Sequence, residues 1–491
     1  MPAGRLPYPT KGGKFIMNYN QATKFILSWA KLGRKEYLKD LRQCEVYLKR
    51  LQFFLDLIGN PEKQIPHYIH VTGTSGKGSV CLMLDSILRT SKKFVGTMTS
   101  PEIGPTQTRW QVNGQAMNNA EFAKILTELK PKLDTYLTIS PYDPISHFEL
   151  MTAIGLYWFA KKKIKWAILE VGCGGRYDSA NVIPHKDIAV ITNIGLDHTE
   201  ILGKTKVKIA YEKSGIIKPG CKVFTMERDK KLLKIFEKEI KKYKKNTKQI
   251  LKTLTTTSYK LQVTNLKGTI FKYQNNTYKL NTLGQHQVNN AILAIEVAKS
   301  LKISTSKIKL GLSKVKLPLR MEIISKKPLI ILDGAHNPDK METTVDAILS
   351  LPLVGGGEEG VIEKRIIPLF PPRNLSRVYL GKGRERKVFH QLHLLIAFSA
   401  DKNITQMLKQ LATLKPTSIA ITKFQSPFKQ AANPKDVEKL TKKYFKNTKI
   451  KTFNNPFTAF NWSKKDTIKS DILLITGSLY LAGEIQQKLT N

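Results

Sequence analysis

The sequence predicts an α/β protein in which a mostly parallel sheet carries helices on both faces and is followed by a smaller, Rossmann-like α/β unit. Short apolar runs alternate along most of the 491 residues with segments whose apolar residues recur at helical spacing, which is typical of a parallel sheet. The alternation begins again after Leu317-Pro318-Leu319, where proline restrains its predecessor and interrupts helices. We therefore predict a first domain over residues 17–316 and a second over 317–491.

The predicted elements follow from local patterns. Each strand is a short apolar run and each helix shows apolar residues three or four positions apart, with stop signals such as Gly59-Asn60-Pro61. In the first domain we predict helices at 22–30, 37–58, 81–88, 119–133, 148–160 and 284–301, strands at 68–71, 94–98, 166–171 and 186–192, and an antiparallel flap within 254–280. In the second we predict strands at 329–332, 392–398, 418–422 and 471–476, and helices at 341–349, 404–414 and from 478. Residues 351–389, rich in glycine, proline and basic residues, break the alternation and are predicted to be an exposed, mobile insertion.

The composition indicates a globular protein without a membrane helix, because no apolar run approaches the roughly 18 residues that such a helix needs. Residues 1–16 are basic but lack the apolar core of a secretory signal. We predict a loose basic leader, with either Met1 or Met17 as the true start. Four scattered cysteines without a C-x-x-C pair favour reduced thiols in the cytoplasm and give no zinc site: Cys44, Cys81, Cys173 and Cys221.

The net charge of +43 raises the possibility of a nucleic-acid partner. The densest lysine stretch, residues 229–249, also carries apolar residues at helical spacing, so its lysines are predicted to form the solvated face of a helix. No arginine-rich arm or RNA-binding signature accompanies them. The sequence therefore argues against nucleic acid, and an acidic small-molecule substrate suits the charge equally well.

A glycine-rich turn between the first strand and its helix predicts a nucleotide site. Glycines let main-chain N–H groups point inward, and the following helix N-terminus adds partial positive charge, so such a turn can hold phosphates. Lys77 would reach the outer phosphates and the Ser79 hydroxyl would face Mg²⁺. The spacing differs from the common G-x-x-x-x-G-K-[ST] pattern, because Gly78 separates the lysine from the serine. The predicted ATP-binding turn is Gly73, Thr74, Ser75, Gly76, Lys77, Gly78 and Ser79, which makes the first domain P-loop-type.

Three further polar residues stand at predicted strand ends, where parallel sheets bind ligands. Glu170 ends a buried strand, where a carboxylate is costly unless it is paired or binds a cation. With His198 and the Ser100 hydroxyl it offers donors suited to Mg²⁺ or Mn²⁺. Each has an ordinary alternative: a structural ion pair for Glu170, a core histidine for His198 and a helix cap for Ser100. Lys213 lies in a predicted helix, but spacing alone does not single it out among the lysines.

Together, the motifs resemble the folylpolyglutamate synthase/dihydrofolate synthase branch of the Mur ligase superfamily. The matching stretches occur in order over residues 17–491: HVTGTSGKGSV (70–80), TSP (99–101), HFELMTAIG (147–155), LEVGCGGRYDSANV (169–182), TNIGLDHTEILG (192–203), YEKSGIIKPG (211–220), LGQHQVNNA (283–291), LPLRMEII (317–324), LDGAHNP (332–338), FSADKN (398–403) and ITGSLYLAGEI (475–485).

The resemblance implies ATP-dependent amide ligation. A pteroate or folate carboxylate would take the γ-phosphoryl group, and the amine of L-glutamate would then displace phosphate. The resemblance also implies two Mg²⁺ sites, with Ser79, Ser100, Glu170 and His198 as ligands and a carbamylated Lys213 helping to hold the second ion. This fits phosphoryl transfer, in which a protein mainly positions groups and offsets developing charge.

The resemblance further assigns residues to each substrate. Asn290, Arg320 and Asp333 match ATP contacts, so the second domain would close over the nucleotide, and His336 would lie near the phosphates in a catalytic role with Lys77 and Lys213. The implied acceptor-side residues are Arg109, Ser146, His147, Phe148, Glu149, Tyr177, Asp178 and Ser179. By family analogy we expect a cytoplasmic monomer.

Departures from the family pattern concentrate beside the acceptor site. Glu102 replaces the usual histidine of TSPHL, and Thr108 replaces the glutamate of an E-R pair whose arginine, Arg109, remains. Ser75 replaces an asparagine, Phe398-Ser399 replaces a Phe-Gly pair, and the 351–389 insertion is atypical. Two alternatives therefore stay open: a Mur-type ligase for a different carboxylate acceptor, and a catalytically silent, basic ATP- or nucleic-acid-binding protein.

Overall fold

The computed structural model describes residues 16–32, 43–102, 104–243, 251–253, 259–265, 268–351, 365–367, 391–426 and 429–490. The chain forms two compact units. The first comprises Met1–Thr255 with Glu296–Ile303, and the second comprises Thr256–Ile295 with Ser304–Asn491. The boundary at residue 317 that the sequence suggests stays a prediction.

The first unit is built on an eight-stranded sheet with the order β4-β3-β2-β5-β1-β6-β7-β8. Strands β2, β5, β1, β6, β7 and β8 are parallel to one another, whereas β3 and β4 form an antiparallel edge. The strands are β1 (His67–Thr72), β2 (Val95–Met98), β3 (Trp110–Val112), β4 (Gln115–Ala116), β5 (Trp166–Glu170), β6 (Ile188–Ile191), β7 (Lys222–Thr225) and β8 (Leu251–Thr253). The helices are α1 (Tyr19–Trp29), α2 (Glu45–Leu57), α3 (Lys77–Thr90), α4 (Asn119–Ile139), α5 (His147–Lys161), α6 (Thr199–Leu202), α7 (Lys206–Ser214) and α8 (Lys230–Lys241).

The central strands are buried on both faces, which explains why they read as continuous apolar runs. Every residue of β5 and β6 is buried, as expected for a parallel sheet covered by helices. Glycines at two positions allow close packing. A Cβ on Gly96 would lie 2.5 Å from Ile164 Cδ1, and one on Gly155 would lie 2.6 Å from Trp110 Nε1.

The second unit contains two sheets. A six-stranded sheet has the order β12-β13-β18-β15-β16-β17, parallel except for the antiparallel pair β12 and β13. A four-stranded antiparallel sheet has the order β11-β10-β9-β14. The strands are β9 (Tyr259–Asn265), β10 (Gly268–Tyr273), β11 (Asn276–Leu280), β12 (Glu322–Lys326), β13 (Leu329–Leu332), β14 (Arg365–Ile367), β15 (Leu392–Ile396), β16 (Ser418–Ile421), β17 (Lys449–Thr452) and β18 (Ile472–Thr476). The helices are α9 (Gln285–Ser300, whose last residues belong to the first unit), α10 (Thr305–Lys314), α11 (Pro338–Leu349), α12 (Ile404–Ala412), α13 (Pro434–Tyr444), α14 (Pro456–Asp466) and α15 (Leu479–Thr490).

The predicted fold class is confirmed, and so is the antiparallel flap, which β9, β10 and β11 form. The predicted helix at 81–88 begins four residues earlier, at Lys77. Within the predicted 351–389 insertion, β14 pairs with β9, so these three residues have regular structure. The rest of that insertion after Leu351 lies outside the described residues, as do residues 1–15 of the predicted leader. Among the helices that the structure describes, none is both long and apolar enough to cross a membrane.

A buried ion pair joins α2 to α5. Arg50 is fully buried, and its Nε and Nη2 atoms donate to the two carboxylate oxygens of Glu149 at 3.0 and 2.7 Å. Its Nη1 atom donates to Asp143 at 2.9 Å. Because both partners of the main pair are buried, removing one leaves an uncompensated charge in the interior.

We expect Arg50→Met to lower the free energy of unfolding by about 3–5 kcal/mol, since Glu149 would stay buried without its cation. Chemical denaturation measures this. The matched control is Lys162→Met, whose partner Glu121 is partly exposed and whose loss should cost only about 0–1 kcal/mol. Equal effects of the two substitutions would contradict the expectation.

Candidate active site

The glycine-rich turn leaves β1 at Thr72 and enters α3 at Lys77. Gly73 has φ +147° and Gly76, at the helix N-cap, has φ +83°, a backbone region that favours glycine. A Cβ on Gly73 would lie 1.7 Å from Thr192 Oγ1. Glycine at position 73 is therefore required by the close approach of the residue that follows β6.

The segment after β6 holds the turn in place. The Thr74 and Ser75 N–H groups donate to Asn193 O at 3.0 Å and Asn193 Oδ1 at 2.9 Å, respectively. Thr192 Oγ1 donates to Ser75 O at 2.6 Å, and Gly195 N donates to Thr74 Oγ1 at 2.8 Å. Asn193 was not singled out from the sequence, because its role depends on β1 and β6 being neighbours.

Lys77 and Lys213 converge on one main-chain oxygen. Their Nζ atoms donate to Gly73 O at 3.0 and 2.9 Å, although the residues are far apart in sequence. Lys213 is only 4% exposed, and burial, reinforced by the charge of Lys77, lowers the pKa of Lys213 to about 7. Near neutral pH, a much larger fraction of this amine is uncharged than for an exposed lysine. Burial and this contact thus distinguish Lys213 from the other lysines, whereas its spacing in the sequence does not.

Glu170 lies beside the glycine-rich turn, as predicted from its place at the end of β5. It pairs in register with Val71 of β1, and its Oε2 atom accepts a hydrogen bond from Ser100 N at 2.9 Å. A Cβ on Gly78 would lie 3.2 Å from the same Oε2 atom. This contact explains why glycine separates Lys77 from Ser79: a side chain at position 78 would press on the carboxylate.

The predicted metal ligands are only partly brought together. Ser100 contacts Glu170 through its main chain, and Ser79, at the start of α3, is 3% exposed. His198 is the N-cap of α6, with φ +50°. Within the described ranges there is no cluster of three or more His, Cys, Asp or Glu side chains able to hold a metal ion. The predicted set has only two such side chains plus hydroxyls, so it stays a prediction. A buried carboxylate beside a P-loop hydroxyl does fit a hard cation such as Mg²⁺.

On the predicted acceptor side, Ser146 and Glu149 hold the start of a helix. Ser146 and Glu149 form a capping box at the start of α5: Glu149 N donates to Ser146 Oγ at 3.1 Å, and Ser146 N donates to Glu149 Oε2. Glu149 also holds Arg50. The S-x-x-E spacing is the local signature of this cap and would have revealed it from the sequence. His147 is buried, whereas Phe148 is 56% exposed and available to a ligand.

The loop after β5 is fixed by Asp178. Its Oδ2 atom accepts from the N–H groups of Gly172 and Cys173 at 3.0 and 3.1 Å, and its Oδ1 atom accepts from Ala180 N at 3.0 Å. Burial raises the pKa of Asp178, opposed by these N–H donors. Ser179 Oγ lies 2.7 Å from Thr152 Oγ1. Tyr177, two residues before Ser179, is half-buried. Substrate contacts by these residues stay predictions.

Arg109 contacts one of the residues that depart from the family pattern. Its Nη2 atom donates to Glu102 Oε2, and the side chains of Arg109 and Glu102 are 8% and 14% exposed. Thr108 is half-buried, and its hydroxyl donates to Pro105 O at 2.8 Å.

In the second unit, the loop after β13 is built around Asp333. Its carboxylate accepts from Met321 N and Ala335 N at 3.0 Å each and from Thr344 Oγ1 at 2.6 Å. Arg320 Nη1 donates to Leu319 O at 3.1 Å, and Asn290 Nδ2 donates to Gln287 Oε1 at 3.1 Å. Their predicted roles in ATP binding stay predictions.

His336 has both ring nitrogens within hydrogen-bond distance of a partner. Nδ1 lies 2.8 Å from Gly334 O, and Nε2 lies 2.9 Å from Lys340 Nζ. A carbonyl oxygen only accepts, so Nδ1 donates to Gly334 O. The two contacts fix the orientation of the ring, and Lys340 is a residue that the sequence did not single out.

We expect Gly78→Ala to weaken Mg²⁺-dependent ATP binding about tenfold, because overpacking against Glu170 costs roughly 1–3 kcal/mol. Titration with a fluorescent ATP analogue, with and without Mg²⁺, measures this. Gly172→Ala is the control, since a Cβ there makes only an ordinary 3.4 Å contact with Asp178 Oδ2. Unchanged Mg²⁺-dependent affinity in Gly78→Ala would count against a role for the Glu170 carboxylate in metal binding.

Comparisons with known proteins identify the family of this chain. Family models for the Mur ligase middle domain and for the dihydrofolate synthetase C-terminal domain match residues 71–298 and 373–489. The dihydrofolate synthase/folylpolyglutamate synthase of Bacillus subtilis is 29% identical, over 90% of this chain and 94% of its own. The folylpolyglutamate synthase of Lacticaseibacillus casei is 30% identical, over 68% of this chain and 77% of its own.

Solved structures of folylpolyglutamate synthases have the same fold as this chain. The crystal structure of folylpolyglutamate synthase from Thermotoga maritima superposes with a TM-score of 0.74 at 27% identity, covering 96% of this chain and 97% of the other. Escherichia coli FolC in complex with DHPP and ADP shares the fold, with a TM-score of 0.73 at 22% identity over 96% and 97% of the two chains. The chain belongs to the folylpolyglutamate synthase/dihydrofolate synthase family of Mur-type, ATP-dependent ligases.

Proposed function

We propose that this ligase joins the amine of L-glutamate to a carboxylate of dihydropteroate or of a reduced folate, with ADP and phosphate as the other products. The observation that carries the proposal is the convergence of Lys77 and Lys213 on Gly73 O, beside the buried Glu170 carboxylate. This arrangement brings the Lys77 ammonium to a glycine-rich turn, where phosphoryl transfer requires positive charge, and it brings the Lys213 amine to the same point.

The proposed reaction has two steps. An oxygen of the acceptor carboxylate attacks the γ-phosphorus of ATP, forming an acyl phosphate as the bond to ADP breaks. The glutamate amine then attacks the acyl carbon, phosphate leaves with the bonding electrons, and the amine nitrogen loses a proton. Lys77 would orient the phosphates and offset their charge, and the N–H groups of the turn would bind the oxygens.

Ser79, Ser100, Glu170 and His198 would hold Mg²⁺, which supplies charge neutralisation at the phosphates when it is bound. A second site would use Lys213 after its neutral amine adds CO₂ and loses a proton, giving a carbamate anion. The burial of Lys213 supports this, because only an uncharged amine is nucleophilic. Asn290, Arg320 and Asp333 would contact the nucleotide, with His336 near the phosphates.

The proposal also covers the setting of the enzyme. We infer a monomer that works in the cytoplasm on small-molecule substrates. The four cysteines, all of which lie in the described part of the chain, form no disulfide there, which fits a reducing compartment.

The first experiment is glutamate-dependent phosphate release from ATP and Mg²⁺, with dihydropteroate and tetrahydrofolate as parallel acceptors. We expect turnover with one acceptor or both, and none when glutamate is omitted. Mass spectrometry of the product should show one added glutamyl group. Absence of phosphate release with every pterin acceptor would overturn the proposed substrate class and direct attention to other carboxylates.

A second experiment tests Lys213. We expect Lys213→Ala to lose more than about a hundredfold in turnover, a loss comparable to that from misplacing a reacting group, while its ATP affinity changes little. Lys208→Ala, on the same helix but exposed, is the control. Carbon-13 NMR with labelled bicarbonate should show a carbamate signal in the parent protein that disappears in Lys213→Ala. Full activity in Lys213→Ala would remove carbamylation from the mechanism.

A further inference from the structure

Glu102 and Arg109 form an ion pair that is largely withdrawn from water. Their side chains are 14% and 8% exposed, so solvent screens the pair far less than a surface pair. Arg109 Nε is also buried and has no hydrogen-bond partner among the described residues. The guanidinium therefore has its charge balanced by one carboxylate, while one of its N–H donors stays unused.

The pair lies on the segment that borders the proposed reaction centre. Thr99 N donates to Arg109 O at 3.0 Å, which places Arg109 beside the end of β2. The next residue, Ser100, donates its N–H to Glu170 Oε2 at 2.9 Å. Glu102 is two residues further along the same segment. The ion pair and the Glu170 carboxylate are thus linked by a short stretch of main chain.

Glu102 changes what this arginine offers to a ligand. A lone Arg109 would attract an additional carboxylate on the acceptor through charge-assisted hydrogen bonds. With Glu102 in place, such a carboxylate would meet an arginine already neutralised and a negative charge next to it. Selectivity of this kind comes from repulsion of the wrong ligand as much as from attraction of the right one.

The two acceptor classes differ in this respect. Dihydropteroate has one carboxylate, which is the group that becomes activated. A folate has a glutamyl group, so one of its carboxylates is activated while another stays charged throughout the reaction. We propose that the Glu102–Arg109 pair makes this ligase selective for dihydropteroate over folates. This inference rests on the proposed function and specifies its acceptor.

The test compares kcat/KM for dihydropteroate and tetrahydrofolate in the parent enzyme and in Glu102→Gln. We expect the parent enzyme to favour dihydropteroate. In Glu102→Gln the ratio of tetrahydrofolate to dihydropteroate should rise about tenfold, mainly through a lower KM for tetrahydrofolate, with the KM for ATP unchanged. A parent enzyme that prefers tetrahydrofolate, or an unchanged ratio in a folded Glu102→Gln protein, would overturn the inference.

Two further variants separate charge from structure. Glu102→Asp keeps the negative charge and should keep the parent ratio, whereas loss of selectivity in both variants would indicate a purely steric role and contradict the proposal. Glu121→Gln, which breaks the more exposed pair with Lys162, is the matched control and should leave the ratio unchanged. If Glu102→Gln does not fold, the acceptor preference of the parent enzyme still decides. Turnover of either acceptor supports the proposed function whatever the preference, so the proposed function and the inferred selectivity can fail separately.

Discussion

The main-chain oxygen of Gly73 accepts hydrogen bonds from two lysines, and much of the first unit serves this arrangement. Gly73 has a positive φ and lies so close to Thr192 that no Cβ would fit. Asn193 then holds the turn, so the strand order that places β1 beside β6 is a requirement of the site. Two cations this close repel each other, and burial of Lys213 resolves the repulsion by favouring its neutral form.

Local patterns in the sequence predicted much of this site. The glycine-rich turn has a strand before it and a helix after it, and Glu170 stands at the end of an apolar run, so both followed from spacing alone. Lys213 did not, because its partner is a main-chain oxygen distant in sequence, and nothing in the helix pattern distinguishes it from its lysine neighbours. Only its resemblance to a family motif singled it out.

The predicted acceptor side shows the opposite problem, since residues predicted to contact the acceptor also have structural partners. Glu149 completes a helix cap and an interior ion pair, and Asp178 accepts three main-chain N–H groups. A motif records that a residue type is needed at a position, and it does not separate support of a loop from contact with a ligand. The Glu102–Arg109 pair could not be predicted either, because spacing does not show that two residues seven positions apart outside a regular helix pattern form an ion pair.

The position of Gly78 has a consequence for how phosphate-binding turns are related. Helix α3 begins at Lys77, so Gly78 is already a helical residue, and each residue of an α-helix advances the direction of its side chain by about 100°. Deleting Gly78 to recover the commoner Lys-Ser spacing would turn the hydroxyl about a quarter of the way around the helix. The two forms of the turn therefore present their hydroxyls from different faces of the helix. The same deletion would move the serine into position 78, where a Cβ lies only 3.2 Å from Glu170 Oε2, so the carboxylate would have to shift as well.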